Sequence, residues 1–142
     1  MKNDIDIDIS IPSHTRYLRM IGRISEKVAQ EIDCPELIRE SLPGQLAIVL
    51  TEGLVNAIKH AKSDDPDEEI HVRINVTNKN LVVRIYDNGV GFDLDAVPAP
   101  CFTSNGLEDK GRGIFILRSL MDTVKYTRTA GGNVLEMKKN LV

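Results

Sequence analysis

The sequence predicts an α+β fold: a two-layer sandwich in which one mixed, mostly antiparallel sheet packs on helices. Three observations predict it. Apolar and polar residues alternate in short runs near the start, middle and end of the chain. Neighbouring runs are joined by turn residues, as hairpins are. Stretches with helical spacing stand between these groups.

Ile5, Ile7, Ile9 and Ile11 alternate with Asp6, Asp8 and Ser10, which marks a half-buried first strand. Its acidic outer face discourages unwanted edge pairing. Pro12-Ser13 ends the strand and places Ser13 to cap a helix. Tyr17, Leu18, Ile21, Ile24 and Val28 then recur at helical spacing until Asp33-Cys34-Pro35 breaks the run. A second helix runs from about Pro43 to Ala61, with Leu46, Val49, Leu50, Leu54 and Ala57 among its apolar positions. Lys62 to Glu69 is an acidic loop. Ile70, Val72, Ile74 and Val76 form a second strand, Thr77-Asn78-Lys79-Asn80 a turn, and Leu81, Val83 and Ile85 a third strand ending at Asp87. Residues 93 to 110 carry Pro98, Pro100 and Gly106 without clear period, a loop of the length that is often functional. Ile114 to Met121 reads as an apolar helix. Val124 to Arg128 and Val134 to Lys138 are short strands joined through Gly131-Gly132.

The chain has 142 residues, the size of one domain, expected to span 1–142. With 42% hydrophobic residues it can bury a core without disulfide staples. A net charge of −3 gives no reason to expect nucleic-acid binding. No apolar run approaches the roughly 20 residues of a membrane span. Met1 to Ser10 lacks the continuous apolar stretch of a signal peptide. Cys34 and Cys101 show no ligand-like spacing, so a cytoplasmic protein with two free thiols is expected.

Three clusters bear on chemistry. Glu52, Asn56 and His60 recur every fourth residue and share one stripe of the second main helix, with Lys59 beside it. A solvated polar face would give the same stripe. Asp87-Asn88-Gly89-Val90-Gly91 has turn chemistry. Asp87 also shares the parity of Leu81, Val83 and Ile85, so it faces the core with them. A buried carboxylate needs a donor, and the amino group of a flat ligand such as adenine would supply one. Gly89 and Gly91 let a ligand approach the backbone. Gly111-Arg112-Gly113 opens the helix Ile114 to Met121, where free amides and the helix dipole favour an anion. No Gly-Lys-Ser/Thr follows, so this is not a Walker loop.

Together the clusters resemble the three boxes of the Bergerat-fold ATPases, the superfamily of gyrase-like ATPases and histidine-kinase catalytic domains. Glu52-x-x-x-Asn56-Ala57-x-x-His60 is similar to the N box, Asp87-x-Gly89-x-Gly91 to the G1 box and Gly111-x-Gly113 to the G2 box. The boxes stand in the family's order, with the ATP lid at about 93–110. The run Gly111 to Asp122 is similar to that of the anti-sigma factor serine/threonine kinases. The resemblance implies Mg2+-dependent ATP binding. Asp87 would accept from the adenine amino group, and Asn56 would hold magnesium. Gly89 and Gly91 would border the base, and Gly111 and Gly113 the phosphates. Lys59 and Arg112 would add cationic contacts to the nucleotide, although both also read as ordinary surface cations. Glu52 matches the proposed catalytic base. His60 is expected to shape the helix end, while His14 and an exposed His71 have no matching role. The implied function is phosphorylation of an anti-sigma factor antagonist (STAS-like) protein. Whether a sigma factor is a second partner stays open, as does dimerisation, which is common among relatives. The alternatives are a nucleotide-binding partner-switching module without catalysis and a histidine-kinase catalytic fragment. The second lacks the upstream phosphoacceptor helices.

Overall fold

The computed structural model describes residues 4–60, 67–88 and 112–142, together with the backbone of 102–103 and 106–107. Ile5–Pro12 (β1) is followed by a short 3-10 turn at Thr15–Tyr17 and by the helices Leu18–Gln30 (α1), Glu36–Arg39 (α2) and Leu42–Lys59 (α3). Glu69–Val76 (β2) and Asn80–Asp87 (β3) come next, then Phe102–Thr103 (β4) and Gly106–Leu107 (β5). Arg112–Leu120 (α4), Thr123–Thr129 (β6) and Gly132–Asn140 (β7) complete the order.

Five strands form one sheet in the order β1-β2-β3-β7-β6, and every pairing in it is antiparallel. The register follows from the alternation. Ile9, Val72, Ile85, Leu135 and Tyr126 stand in one row across all five strands, and Ile7, Ile74, Val83, Met137 and Val124 in the next. A slip of one residue would turn each of these apolar rows to water. Between them, on the opposite face, runs the row Asp8, Arg73, Arg84, Glu136 and Lys125. Arg73 and Arg84 face each other in it, and each finds an acid: Arg84 Nε donates to Glu136 Oε2 at 2.9 Å within the row, and Arg73 reaches out of the row to both oxygens of Asp6 at 3.1 and 2.9 Å. The Arg73 hydrogen bond holds the Asp6 carboxyl below the usual carboxylate range. The pair's contribution is therefore present at neutral pH and lost as pH falls through the Asp6 titration. Its exposure keeps that contribution small.

The helices cover the apolar face. Ile21, Val28 and Ala29 of α1, Leu46, Leu50, Leu54 and Ala57 of α3, and Ile114 and Leu117 of α4 join the sheet residues in one core cluster. The central helix α3 lies so close to the sheet that a Cβ on Gly53 would stand 2.5 Å from Ile85 Cδ1. Glycine here is a packing requirement, because the facing side chain is fully buried and has nowhere to retreat.

Several expectations shift in detail. Ser13 does not cap α1: a single 3-10 turn intervenes, capped by His14, whose Nδ1 accepts from Arg16 N at 3.0 Å, and α1 begins after Tyr17 with no side-chain cap bond. The four-residue α2 is too short to show a period. His71 is half-buried rather than exposed. Its Nδ1 pairs with Ser10 Oγ at 2.7 Å and its Nε2 with Asp8, which ties the edge strand β1 to β2. Within the stretch expected to be an aperiodic loop, β4 and β5 pair antiparallel, since strands of two residues leave no period to read. The rest of 93–110, with Cys101, lies outside the described residues. No helix among the described residues is long and apolar enough to cross a membrane.

Candidate functional site

The buried end of β3 carries the first half of the site. Asp87 continues the inward parity of Leu81, Val83 and Ile85 and is 7% exposed. Its register partner on β7 is Asn133, 4% exposed, and Asn133 Nδ2 donates to Asp87 Oδ1 at 3.0 Å. The carboxylate thus meets a donor, as its position requires. That donor comes from the protein itself.

Gly132 makes this meeting possible. Its φ of +136° is open to glycine and costly to L side chains, and a Cβ there would lie 2.9 Å from Asn88 Oδ1 and 3.0 Å from the Asp87 carbonyl oxygen. The Thr129 hydroxyl donates to the Gly132 carbonyl at 2.5 Å and secures the turn between β6 and β7. A hollow of about 450 Å³ borders this end of the sheet. Besides Asp87, Asn88 and Asn133 it is lined by His71, Tyr86 and Val134, residues of the face turned away from the helices. Glu52 and Asn56 do not line it.

The second half of the site sits on α3. Glu52 and Asn56 are half-buried, Lys59 is exposed, and His60 is the C-cap, its N–H bonded to the Asn56 and Ile58 carbonyls. The helix end is thus closed by the His60 backbone. The packing of α4 on α3 brings Glu52 to the first turn of α4: a Cβ on Gly113 would lie 3.0 Å from Glu52 Oε2. The Glu52 carboxylate and the start of α4, 61 residues apart in sequence, are thus in near contact. A negative group at that helix end is favoured by the helix dipole. Arg112, the first residue of α4, is exposed. Gly89, Gly91 and Gly111 lie outside the described residues.

The arrangement therefore joins Glu52 to Gly113 and Asp87 to Asn133, and the two pairs are linked through α3 packed on β3. Asn133 escapes a reading of the sequence that begins the last strand at Val134. Extending the alternation of Leu135 and Met137 back by two residues would have placed it in the core. Among the described residues no cluster of three or more His, Cys, Asp or Glu side chains is placed to enclose a metal ion.

Residues 11–139 match the model of the histidine kinase-like ATPase domain. The chain is 28% identical over 145 residues to the serine-protein kinase RsbW of Bacillus subtilis (strain 168), covering 97% of this chain and 88% of that protein. It is 33% identical over 99 residues to the serine-protein kinase RsbW of Listeria innocua, covering 66% of this chain and 63% of that protein. Among solved structures, the RsbU and RsbW domains of Rv1364c from Mycobacterium tuberculosis superpose with a TM-score of 0.68 at 14% identity. That match covers 96% of this chain and 32% of the longer one, and at such identity it speaks for the fold alone.

Proposed function

The chain belongs to the histidine kinase-like ATPase domain family, and from that premise we propose that it binds Mg2+-ATP and phosphorylates a serine or threonine of a regulatory protein partner. The similarity to proteins named serine-protein kinase supports the reaction class. The observation that carries the nucleotide site is Asp87, a carboxylate held in the core face at the end of a strand. Packing alone gives no reason to keep a charge there, since burying one is costly. A reader of an exocyclic amino group does.

In this reading Asp87 accepts from the adenine amino group, with Gly89 and Gly91 beside the base. Gly111, Arg112 and Gly113 border the phosphates, and Lys59 reaches them from its exposed position at the end of α3. The donor chemistry suits magnesium, a hard cation that takes oxygen ligands and usually keeps few protein groups. The Asn56 side-chain oxygen is one such ligand, and phosphates and water would supply the rest. The ion would neutralise charge on the phosphates. Glu52 accepts the proton of the attacking hydroxyl as that oxygen bonds to the γ-phosphorus. The bond from the γ-phosphorus to the bridging oxygen breaks, and ADP leaves with that oxygen. The partner in this reading is an anti-sigma factor antagonist of the STAS-like type.

Calorimetry tests the nucleotide half directly. ATP is expected to bind with micromolar affinity in the presence of magnesium and much more weakly when the metal is chelated. An absence of binding heat from folded protein with Mg2+-ATP would refute the site.

A further inference from the structure

On the sheet face turned away from the helices, three side chains that take no part in the nucleotide reading meet across β1 and β2. Ser10 Oγ lies 2.7 Å from His71 Nδ1, and His71 Nε2 pairs with Asp8. Ser10 and His71 are register partners, and Asp8 stands on the same face of β1 as Ser10. Arg73, directly opposite Asp8, turns to Asp6 instead. The Tyr86 ring meets the imidazole edge-on at 6.0 Å and fixes its tilt. The backbone adds a donor. Ser13 N donates to the Glu68 carbonyl at 2.9 Å, in phase with the β1–β2 register. Hydrogen-bonded and open pairs alternate along an antiparallel ladder, so Ile9 and Ile11 make the bonds to β2. The Ser10 N–H therefore points to the free edge of the sheet, where β1 lies.

We propose that Ser10 is a second nucleophilic centre of this protein, acylated by small carboxylic esters with a good leaving group. Fastening an edge strand needs only one hydrogen bond, and this trio does more. A neutral imidazole whose Nε2 faces a carboxylate carries its proton there, so Nδ1 keeps a lone pair toward the Ser10 hydroxyl. Asp8 thus sets the tautomer that lets His71 act as a base, and it is a positioning residue. In the step itself Ser10 Oγ bonds to the ester carbonyl carbon while its proton passes to His71 Nδ1. The outward Ser10 N–H can donate to the oxyanion that forms. The bond from that carbon to the leaving oxygen then breaks, the leaving group takes the proton from Nδ1, and the acyl group stays on Ser10. The centre stands on an open sheet face, so it selects its ester by reactivity rather than by shape.

The test incubates the full chain, without nucleotide, with p-nitrophenyl acetate. It follows the burst of p-nitrophenolate and maps the acetylated peptides by mass spectrometry. Wild-type protein is expected to show a burst close to the protein concentration, the mark of an accumulating acyl-enzyme, with the acetyl group on Ser10. Ser10→Ala loses the burst. His71→Gln places an amide that can hydrogen-bond to the Ser10 hydroxyl but cannot take its proton. Its thermal melt should therefore stay near wild type while the burst slows by about 10²-fold or more, the scale of a lost general base. Asp8→Asn slows the burst as well, whereas Asp6→Asn, which removes only the partner of Arg73, leaves it unchanged. Acetyl groups confined to lysines and the N-terminus, with Ser10 unmodified, would overturn the proposal. So would a wild-type burst rate in His71→Gln, which would leave the trio as a fastener of the edge strand. The inference does not rest on the nucleotide reading, and neither result bears on it.

Discussion

Asp87→Asn is expected to abolish ATP binding at ordinary working concentrations while leaving the fold intact. The amide presents donors as well as an acceptor toward the adenine amino group and removes the charge that strengthens the bond. The loss is about 1.5–3 kcal/mol, the range for a hydrogen bond to a charged group, or roughly 10- to 100-fold in affinity. The fold survives because Asn133 faces position 87 across the ladder and can pair with an amide as it does with the acid. Titration of ATP beside a thermal melt checks both halves. Unchanged affinity would leave Asp87 as a strand-ending residue whose only duty is its bond to Asn133.

Glu52→Ala and Asn56→Ala are expected to separate catalysis from binding. The two residues lie one turn apart on α3, both half-buried, and Glu52 adjoins the start of α4 at Gly113. A carboxylate beside the phosphates adds little to ATP affinity, since it repels them, but it can take the proton of an attacking hydroxyl. Glu52→Ala should keep ATP affinity within a few-fold and slow phosphoryl transfer by about 10²-fold or more, as for a lost general base. Asn56→Ala should damage both, because the metal's protein ligand goes with it. The readout is single-turnover transfer beside nucleotide titration for each variant. Transfer at the wild-type rate by Glu52→Ala would remove the base assignment.

Much of the fold is legible because it is written in periods. The alternation in β1, β2 and β3 and the helical spacing in α1 and α3 each report one face, and in the structure those faces meet in one core. The parity of Asp87 with Ile85 is legible for the same reason, and the carboxylate is indeed buried. What lies outside such patterns is harder to read. The His14 cap depends on a 3-10 turn that leaves no mark on spacing. The half-burial of His71 comes from Ser10 and Asp8 on a strand about 60 residues away, and no local window contains them. The meeting of Glu52 with Gly113 depends on how α4 settles on α3, which is a property of tertiary packing. Asn133 was within reach of the period-two argument but stood one residue before the apparent start of its strand.

The most direct test of the central claim is transfer of the γ-phosphoryl group of labelled Mg2+-ATP to the STAS-like antagonist proteins encoded near this chain. The account predicts that one of them acquires acid-stable label on a serine or threonine, in proportion to the kinase present, and that the label is lost with Glu52→Ala. Protein that binds Mg2+-ATP tightly yet labels none of these proteins would contradict the kinase assignment and leave a nucleotide-binding partner-switching module in its place.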